Sequence, residues 1–286
     1  MNKNKNLNTP KTIDCNSKLL DLSTPSIMGI LNLTDDSFYD GGKHNSVKKA
    51  LLQTEKMLDD GANIIDIGAY SSRPNSIHIS IDEEWQRLEK TLQIINKEFP
   101  YVILSVDTFR SEIAWRSVDN GADIINDISA GNLDQEMFDV VADLNIPYIM
   151  MHMQGTPQTM QNNPYYNCIE KEVVNYFLRK VKTLQQKGLN KIILDPGFGF
   201  GKTVEHNYQL LNKLEELHAL ELPLLVGVSR KSMVYKVLGT DATNSLNGTT
   251  TIHTLCLSKG VSILRVHDVK EAVECVKLIN FAKNQL

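Results

Sequence analysis

Short apolar runs recur along this chain, and each stops at a side chain that can carry charge or a hydrogen bond. Ile27 to Leu31 stops at Asn32, Ile64-Ile65 at Asp66, Val102 to Val106 at Asp107, and Ile124-Ile125 at Asn126. Tyr148 to Met151 stops at His152, Ile192 to Leu194 at Asp195, Leu224 to Val228 at Ser229-Arg230-Lys231, and Ile263-Leu264 at Arg265. Runs this short and unbroken read as strands covered on both faces, as a parallel sheet requires. Between them, apolar residues fall at helical spacing over Val47–Leu58, Asp82–Lys97, Ser111–Asp119, about Phe138–Leu144, Ile169–Lys187, Tyr208–Leu217, Leu246–Ser258 and Val269–Ala282. Eight strand-then-helix units predict a single-domain α/β fold, a (β/α)8 TIM barrel. A doubly wound open sheet alternates in the same way, but no G-x-G-x-x-G turn follows the first strand. The barrel is expected over residues 18–286, behind a disordered tail over 1–17 that is rich in Asn and Lys at its start. Lys18-Leu19-Leu20-Asp21-Leu22 is a weak strand candidate at the junction.

Composition narrows the class of function. A net charge of -4 and a pI near 6.0 leave no electrostatic footprint for nucleic acid or a membrane surface, so small-molecule chemistry is expected. Cys15, Cys168, Cys256 and Cys275 lie far apart, with neither C-x-x-C nor metal-ligand spacing, and read as reduced thiols of a cytoplasmic protein. The lysines near Met1 have no apolar stretch behind them, unlike a signal peptide.

In such a barrel the reactive groups gather where the strands end. One rim is therefore expected to collect Asn32, Asp66, Asp107, Asn126, His152, Asp195, Lys231, Arg265 and His267. Each has an ordinary alternative: Asp107 could cap the next helix, Asp66 could pair inside the barrel, and His152 could be a satisfied loop histidine. Taken together on one rim, they exceed what stability needs. Arg265 and His267 stand two apart on a strand and could clamp one anionic group. Arg73, in Ser71-Ser72-Arg73-Pro74, is a second anion candidate, and the carboxylates with Asn126 suit an amide-rich heterocycle.

The stretch Asp195-Pro196-Gly197-Phe198-Gly199-Phe200-Gly201-Lys202-Thr203 imitates the end of a phosphate-binding P-loop. It fails because Pro196 stands where the first glycine belongs, and proline lacks both the N–H and the positive φ. A buried strand delivering Asp195, followed by glycines that let backbone approach a flat ring, suits a heterocycle; a capped strand-to-helix turn is the plainer alternative.

Met28-Gly29-Ile30-Leu31-Asn32-Leu33-Thr34 with Asp36-Ser37-Phe38 and Asp40-Gly41-Gly42, Ser71-Ser72-Arg73-Pro74, Ser105-Val106-Asp107-Thr108, Ile125-Asn126-Asp127, Met151-His152-Met153-Gln154-Gly155, the Asp195 to Lys202 stretch, Ser229-Arg230-Lys231-Ser232 and Arg265-Val266-His267-Asp268 resemble, in the same order, the dihydropteroate synthase family. The resemblance runs from about Leu20 to the C-terminus. It implies condensation of 6-hydroxymethyl-7,8-dihydropterin pyrophosphate with 4-aminobenzoate, giving 7,8-dihydropteroate and pyrophosphate for folate synthesis. By the same resemblance, Asp107, Asn126, Asp195, Lys231 and Arg265 bind the pterin, with Asp195 accepting from the ring N–H and exocyclic amine. Asn32, Arg73, Arg265 and His267 bind pyrophosphate, and Asn32 helps hold Mg2+. Phe38, Ser72, Arg73, Pro74, Phe198, Lys231 and Ser232 form the aminobenzoate site. The family further implies a homodimer, an SN1-like displacement and a sulfonamide target.

Three positions depart from the family pattern: Asp35 for a proline, Ala69-Tyr70 for Gly-Glu, and Ser72 for threonine. They bear on aminobenzoate and sulfonamide affinity more than on the reaction. A pterin-binding methyltransferase would need a corrinoid partner, and the chain carries no cobalamin module. A non-catalytic pterin-binding paralogue would have no use for a pyrophosphate cradle of Asn32, Arg73, Lys231, Arg265 and His267.

Overall fold

A computed structural model describes residues 9–33, 43–71 and 78–285. Its barrel strands are β3 (Ser26–Asn32), β4 (Ile64–Gly68), β5 (Ile103–Asp107), β6 (Ile124–Asp127), β7 (Tyr148–Met151), β8 (Ile192–Asp195), β9 (Leu225–Val226) and β10 (Ile263–Val266). All eight are parallel, in the order β8-β7-β6-β5-β4-β3-β10-β9. A parallel bridge from Leu194 to Leu224 joins the two ends of that order, with Leu194 N–H donating to Pro223 O at 2.9 Å. The sheet is thereby a closed barrel, as the repeated units predict.

The helices around it are α1 (Lys43–Asp59), α2 (Ile81–Glu98), α3 (Ser111–Asp119), α4 (Met137–Asp143), α5 (Ile169–Gln186), α6 (Val204–Asn212), α7 (Ser232–Leu238), α8 (Leu246–Ser258) and α9 (Val269–Lys283). Where a single helix over Tyr208–Leu217 is expected, the chain instead forms α6 and then a 3-10 segment, Leu214–Leu220. The short α7 has no counterpart in the sequence reading. It places Lys231 at its N-terminal boundary, on the barrel rim.

The N-terminal end corrects the expected tail. Thr12–Cys15, assigned to disorder, forms strand β1, which pairs antiparallel with β2 (Lys18–Asp21). Asn16 and Ser17 turn the hairpin with left-handed φ of 47° and 71°, the backbone of a two-residue type I′ turn. Alternation then points Ile13, Cys15 and Leu20 inward, against Met28, Ile64, Ile103, Ile124, Ile149, Ile193, Leu225 and Ile263. Those eight residues lie at or near the N-terminal ends of the barrel strands, so the hairpin plugs the end opposite the rim. Lys18 fastens it by donating to Asp123 Oδ2 and to Val102 O, each at 2.8 Å.

Candidate functional site

The floor of the rim pocket is an ionic hub. Asp66, fully buried one turn of the pleat inside β4, accepts from Ser105 Oγ at 2.6 Å, Asn126 Nδ2 at 3.1 Å and Arg265 Nε at 2.6 Å. Arg265 also donates through Nη2 to Asp107 Oδ2 at 2.7 Å. Four strands are tied together across the barrel mouth, β10 through Arg265, β4 through Asp66, β5 through Ser105 and Asp107, and β6 through Asn126, with β3 lying between β10 and β4. Pairing inside the barrel, the plainer reading of Asp66, is what the structure shows. Burial lifts Asp107 from 3.8 up to about 7 against the opposing pull of Arg265, with Asp66 adding to the rise. The guanidinium charge, in turn, is held more firmly by its two carboxylates.

Asp195 stands across the pocket at the end of β8, and its Oδ1 accepts the N–H of Gly197 at 2.7 Å. Burial raises its carboxyl, while Lys231 and that N–H oppose the rise. Lys231 is half-buried, donates to Phe198 O at 2.5 Å and lies 4.6 Å from the centre of the Phe200 ring. Burial brings its ammonium down to about 8, with Asp195 working against the change. The pocket thus offers carboxylates, an amide and a cation at fixed positions, while Met151, Met153, Met160 and Phe200 form an apolar shelf beside them.

The turn that carries these contacts is possible only with glycine. Gly197 and Gly201 have φ of 68° and 60°, and a Cβ on Gly197 would come within 2.0 Å of the His152 carbonyl oxygen. The turn also corrects one expected site residue. Phe198 is fully buried in the main core, so its side chain cannot line the aminobenzoate site; the half-buried Phe200, two residues on, faces Lys231. Lys202 points inward to backbone carbonyls and to His152, unlike a phosphate-binding lysine.

Of the remaining expected residues, Asn32 ends β3 half-buried, and its side chain makes no hydrogen bond among the described residues. Its Oδ1 lies 3.7 Å from where a Cβ on Gly68 would stand, beside Asp107. His267 is exposed at the rim, with Nδ1 3.2 Å from Ser229 Oγ. Ser232 is half-buried at the first turn of α7. His152 faces outward from the barrel, packed edge-on to Tyr176 at 4.9 Å, with its ring 3.0 Å from Lys202 Nζ and its backbone N–H donating to Asp195 O at 2.9 Å. Arg265 is engaged by Asp66 and Asp107 through Nε and Nη2, which leaves its Nη1 as the group that could act with His267 on an anion. Phe38, Ser72, Arg73 and Pro74, with the departures Asp35 and Ser72, lie outside the described residues.

Tyr70 and His78, on either side of residues 72–77, are hydrogen-bonded at 3.1 Å. Arg110 reaches the same place, donating to Ile79 O at 2.6 Å and lying 3.2 Å from His78 Nε2, while Nη1 pairs with the fully buried Glu84 at 2.7 Å. Neither Arg110 nor Glu84 was visible as a site residue in the sequence, since each sits in an ordinary helix-start pattern. Lys202 was visible only as the tail of a false P-loop.

The family described as pterin binding enzyme matches residues 28–267. The dihydropteroate synthase of Escherichia coli K12 is 44% identical over 262 residues, which cover 91% of this chain and 92% of that protein. Among solved structures, Yersinia pestis dihydropteroate synthase with a sulfonamide drug complex superposes with a TM-score of 0.90 at 41% identity, covering 96% of this chain and 99% of that one. The Xanthomonas albilineans dihydropteroate synthase in complex with 7,8-dihydropteroate gives a TM-score of 0.86 at 32% identity, with 95% and 98% covered.

Proposed function

The chain belongs to the pterin-binding enzymes, as one of the dihydropteroate synthases, and we propose that it joins 6-hydroxymethyl-7,8-dihydropterin pyrophosphate to 4-aminobenzoate in folate synthesis. The observation that carries the reading is the pairing of two polar stations across one barrel mouth. One is Asp195 with Lys231; the other is the Asp66, Asp107, Asn126 and Arg265 hub.

A pterin presents N–H donors along one edge and ring nitrogens and a carbonyl along others. Asp195 accepts from the ring N–H and exocyclic amine, Asn126 and Asp107 meet the opposite edge, and Lys231 donates to a ring acceptor. Because the hub is already assembled, the ring meets fixed dipoles and reorganises little on binding. The pterin then releases electron density to its exocyclic methylene as the C–O bond to pyrophosphate breaks. The aminobenzoate nitrogen forms the new C–N bond, and the resulting anilinium, a strong acid, passes its proton to the departing pyrophosphate or to water, so no strong general base is required. Arg265, whose Nη1 makes no hydrogen bond among the described residues, and His267 at the rim receive the departing anion.

A magnesium ion fits this end of the pocket in one respect: Asn32 offers an amide oxygen that no described residue uses, and Mg2+ is commonly held by few protein oxygens plus phosphate and water. Asn32 would hold it, and bound there it would neutralise charge gathering on the pyrophosphate. Aminobenzoate would lie toward Lys231, Phe200 and Ser232, closed off by Phe38, Ser72, Arg73 and Pro74. A homodimer and a cytoplasmic setting are part of the same proposal; among the described residues no helix is long and apolar enough to cross a membrane.

The test is pyrophosphate release from the pterin pyrophosphate by the purified protein, with and without 4-aminobenzoate and Mg2+. Release that requires both supports the reading. Tight pterin binding with no release would reduce the chain to a binding paralogue.

A further inference from the structure

Lys202 has no role in the chemistry above, yet it is only 3% exposed. Its Nζ lies 2.9 Å from Gly197 O, 3.0 Å from Phe200 O, 3.3 Å from His152 O and 3.0 Å from His152 Nδ1. All four partners are positions that accept, provided the imidazole keeps a lone pair on Nδ1. An ammonium brings three N–H donors to such a cage, where a neutral amine brings two. Burial, then the charge of Lys202, holds His152 well below its usual range, which keeps that lone pair in place.

The cage lies on the inner side of the glycine turn. Gly197, Gly199 and Gly201 are all left-handed, and backbone of this kind carries little of its own restraint. Restraint comes from outside: Tyr166 Oη donates to Gly201 O at 2.8 Å, Gln161 Nε2 to Gly199 O at 2.7 Å, and Lys202 to the carbonyls of Gly197 and Phe200. The same turn delivers the Gly197 N–H to Asp195 and the Phe198 carbonyl to Lys231. What Lys202 holds on one side is thus what the two pocket residues lean on from the other.

We infer that Lys202 is a positioning residue for pterin recognition, locking the 197–201 turn from within so that Asp195 and Lys231 meet the ring in one fixed arrangement. The inference rests on reading the pocket as a pterin site. Burial brings the Lys202 ammonium down to about 7 against the pull of Asp195, and in the acid range, where the ammonium is charged, that charge acts in the same direction. The charged and titratable groups facing Lys202 are His152 from β7, Asp195 from β8 and Lys231 from the start of α7. Asp195 in turn faces Lys231, Arg265 and Lys202. Removing the ammonium takes one positive neighbour from Asp195, so its carboxyl titrates at higher pH.

The experiment compares wild type, Lys202→Met and Lys202→Gln by calorimetric binding of 6-hydroxymethyl-7,8-dihydropterin pyrophosphate across the acid range, with thermal unfolding and aminobenzoate KM alongside. Both variants are expected to weaken pterin binding roughly ten- to hundred-fold, as loss of charged hydrogen bonds predicts. The acid limb of pterin affinity is expected to move to higher pH, a change that mere loosening of the fold does not produce. Aminobenzoate KM is expected to rise as well, because the same turn carries Phe200 and supports Lys231. Unchanged pterin affinity and an unmoved acid limb would overturn the inference, whatever happens to thermal stability. So would failure of both variants to fold, since Lys202 would then serve the barrel itself. A wild-type chain that binds no pterin would instead overturn the functional reading beneath it.

Discussion

Replacing Arg265 by methionine is the sharpest probe of the pocket floor. The guanidinium keeps about a fifth of its side-chain surface exposed (20%), Asp107 keeps 19% and Asp66 none, so the Asp66 half of the contact is the costly one to break. Removing one partner of a buried ion pair typically costs about 3–5 kcal/mol, because the other charge is left bare. With Asp107 partly solvated, the low end applies, roughly 3 kcal/mol, which for a chain of this size lowers Tm by about 6–12 °C. The sign with pH follows from Asp107. Its carboxyl already sits above its ordinary 3.8, at about 7, so the folded state binds its proton more tightly than the unfolded chain does. Stability from that group is therefore greatest in acid and falls as pH rises through the window between 3.8 and about 7. Without Arg265 the carboxyl rises further, so the Asp107 share of the deficit should grow between about pH 5 and about pH 8, on top of the share owed to Asp66. Thermal unfolding at several pH values measures this. Adding Asp66→Asn to Arg265→Met should restore at least ~1 kcal/mol, since no bare charge then remains beneath Asn126. A Tm within about 2 °C of wild type near neutral pH, or a deficit independent of pH, would refute the argument.

Lys231→Ala should abolish pyrophosphate release while circular dichroism and Tm show a folded barrel; near-normal turnover would remove Lys231 from the site. Since burial brings the Lys231 ammonium to about 8, its positive charge is lost above that value, and a pH profile should show turnover falling on that limb. Leu20→Ala in the hairpin plug should cost about 2–4 kcal/mol in denaturant unfolding. Both KM values should be unchanged by it, because the plug lies at the opposite end of the barrel from the pocket. Ser17→Gly, at a φ of 71°, should stabilise the chain by roughly 0.5 kcal/mol in the same assay.

The barrel was legible because its strands are covered on both faces, so they stand out as unbroken apolar runs with polar ends, from Ile64-Ile65-Asp66 to Ile192-Ile193-Leu194-Asp195. Hairpin strand β1 was not. Thr12-Ile13-Asp14-Cys15 buries only every second residue, and the turn Asn16-Ser17 lacks the glycine that usually announces a two-residue hairpin. The rim residues Asp107, Asn126, Asp195 and Lys231 were legible as strand ends, and the structure gathers them at one mouth. What Arg265 does there was not, because its partners lie 199 and 158 residues away and local spacing suggested only an anion clamp with His267. Phe198 and Phe200 have identical glycine neighbours, and only the path of three left-handed turns decides which ring enters the core. Lys202 was left without a role once Pro196 ruled out the P-loop, because no spacing rule reports a lysine that folds back onto its own loop.

The hub of Asp66, Asp107, Asn126 and Arg265 has a further consequence for inhibitors. A compound that leans on this floor engages Asp66 and Arg265, neither of which can be exchanged alone without leaving the other's charge uncompensated inside the barrel. Escape by substitution at Asp66 or Arg265 therefore carries a stability cost of its own, so weaker inhibitor binding and a less stable barrel come together at the same residues.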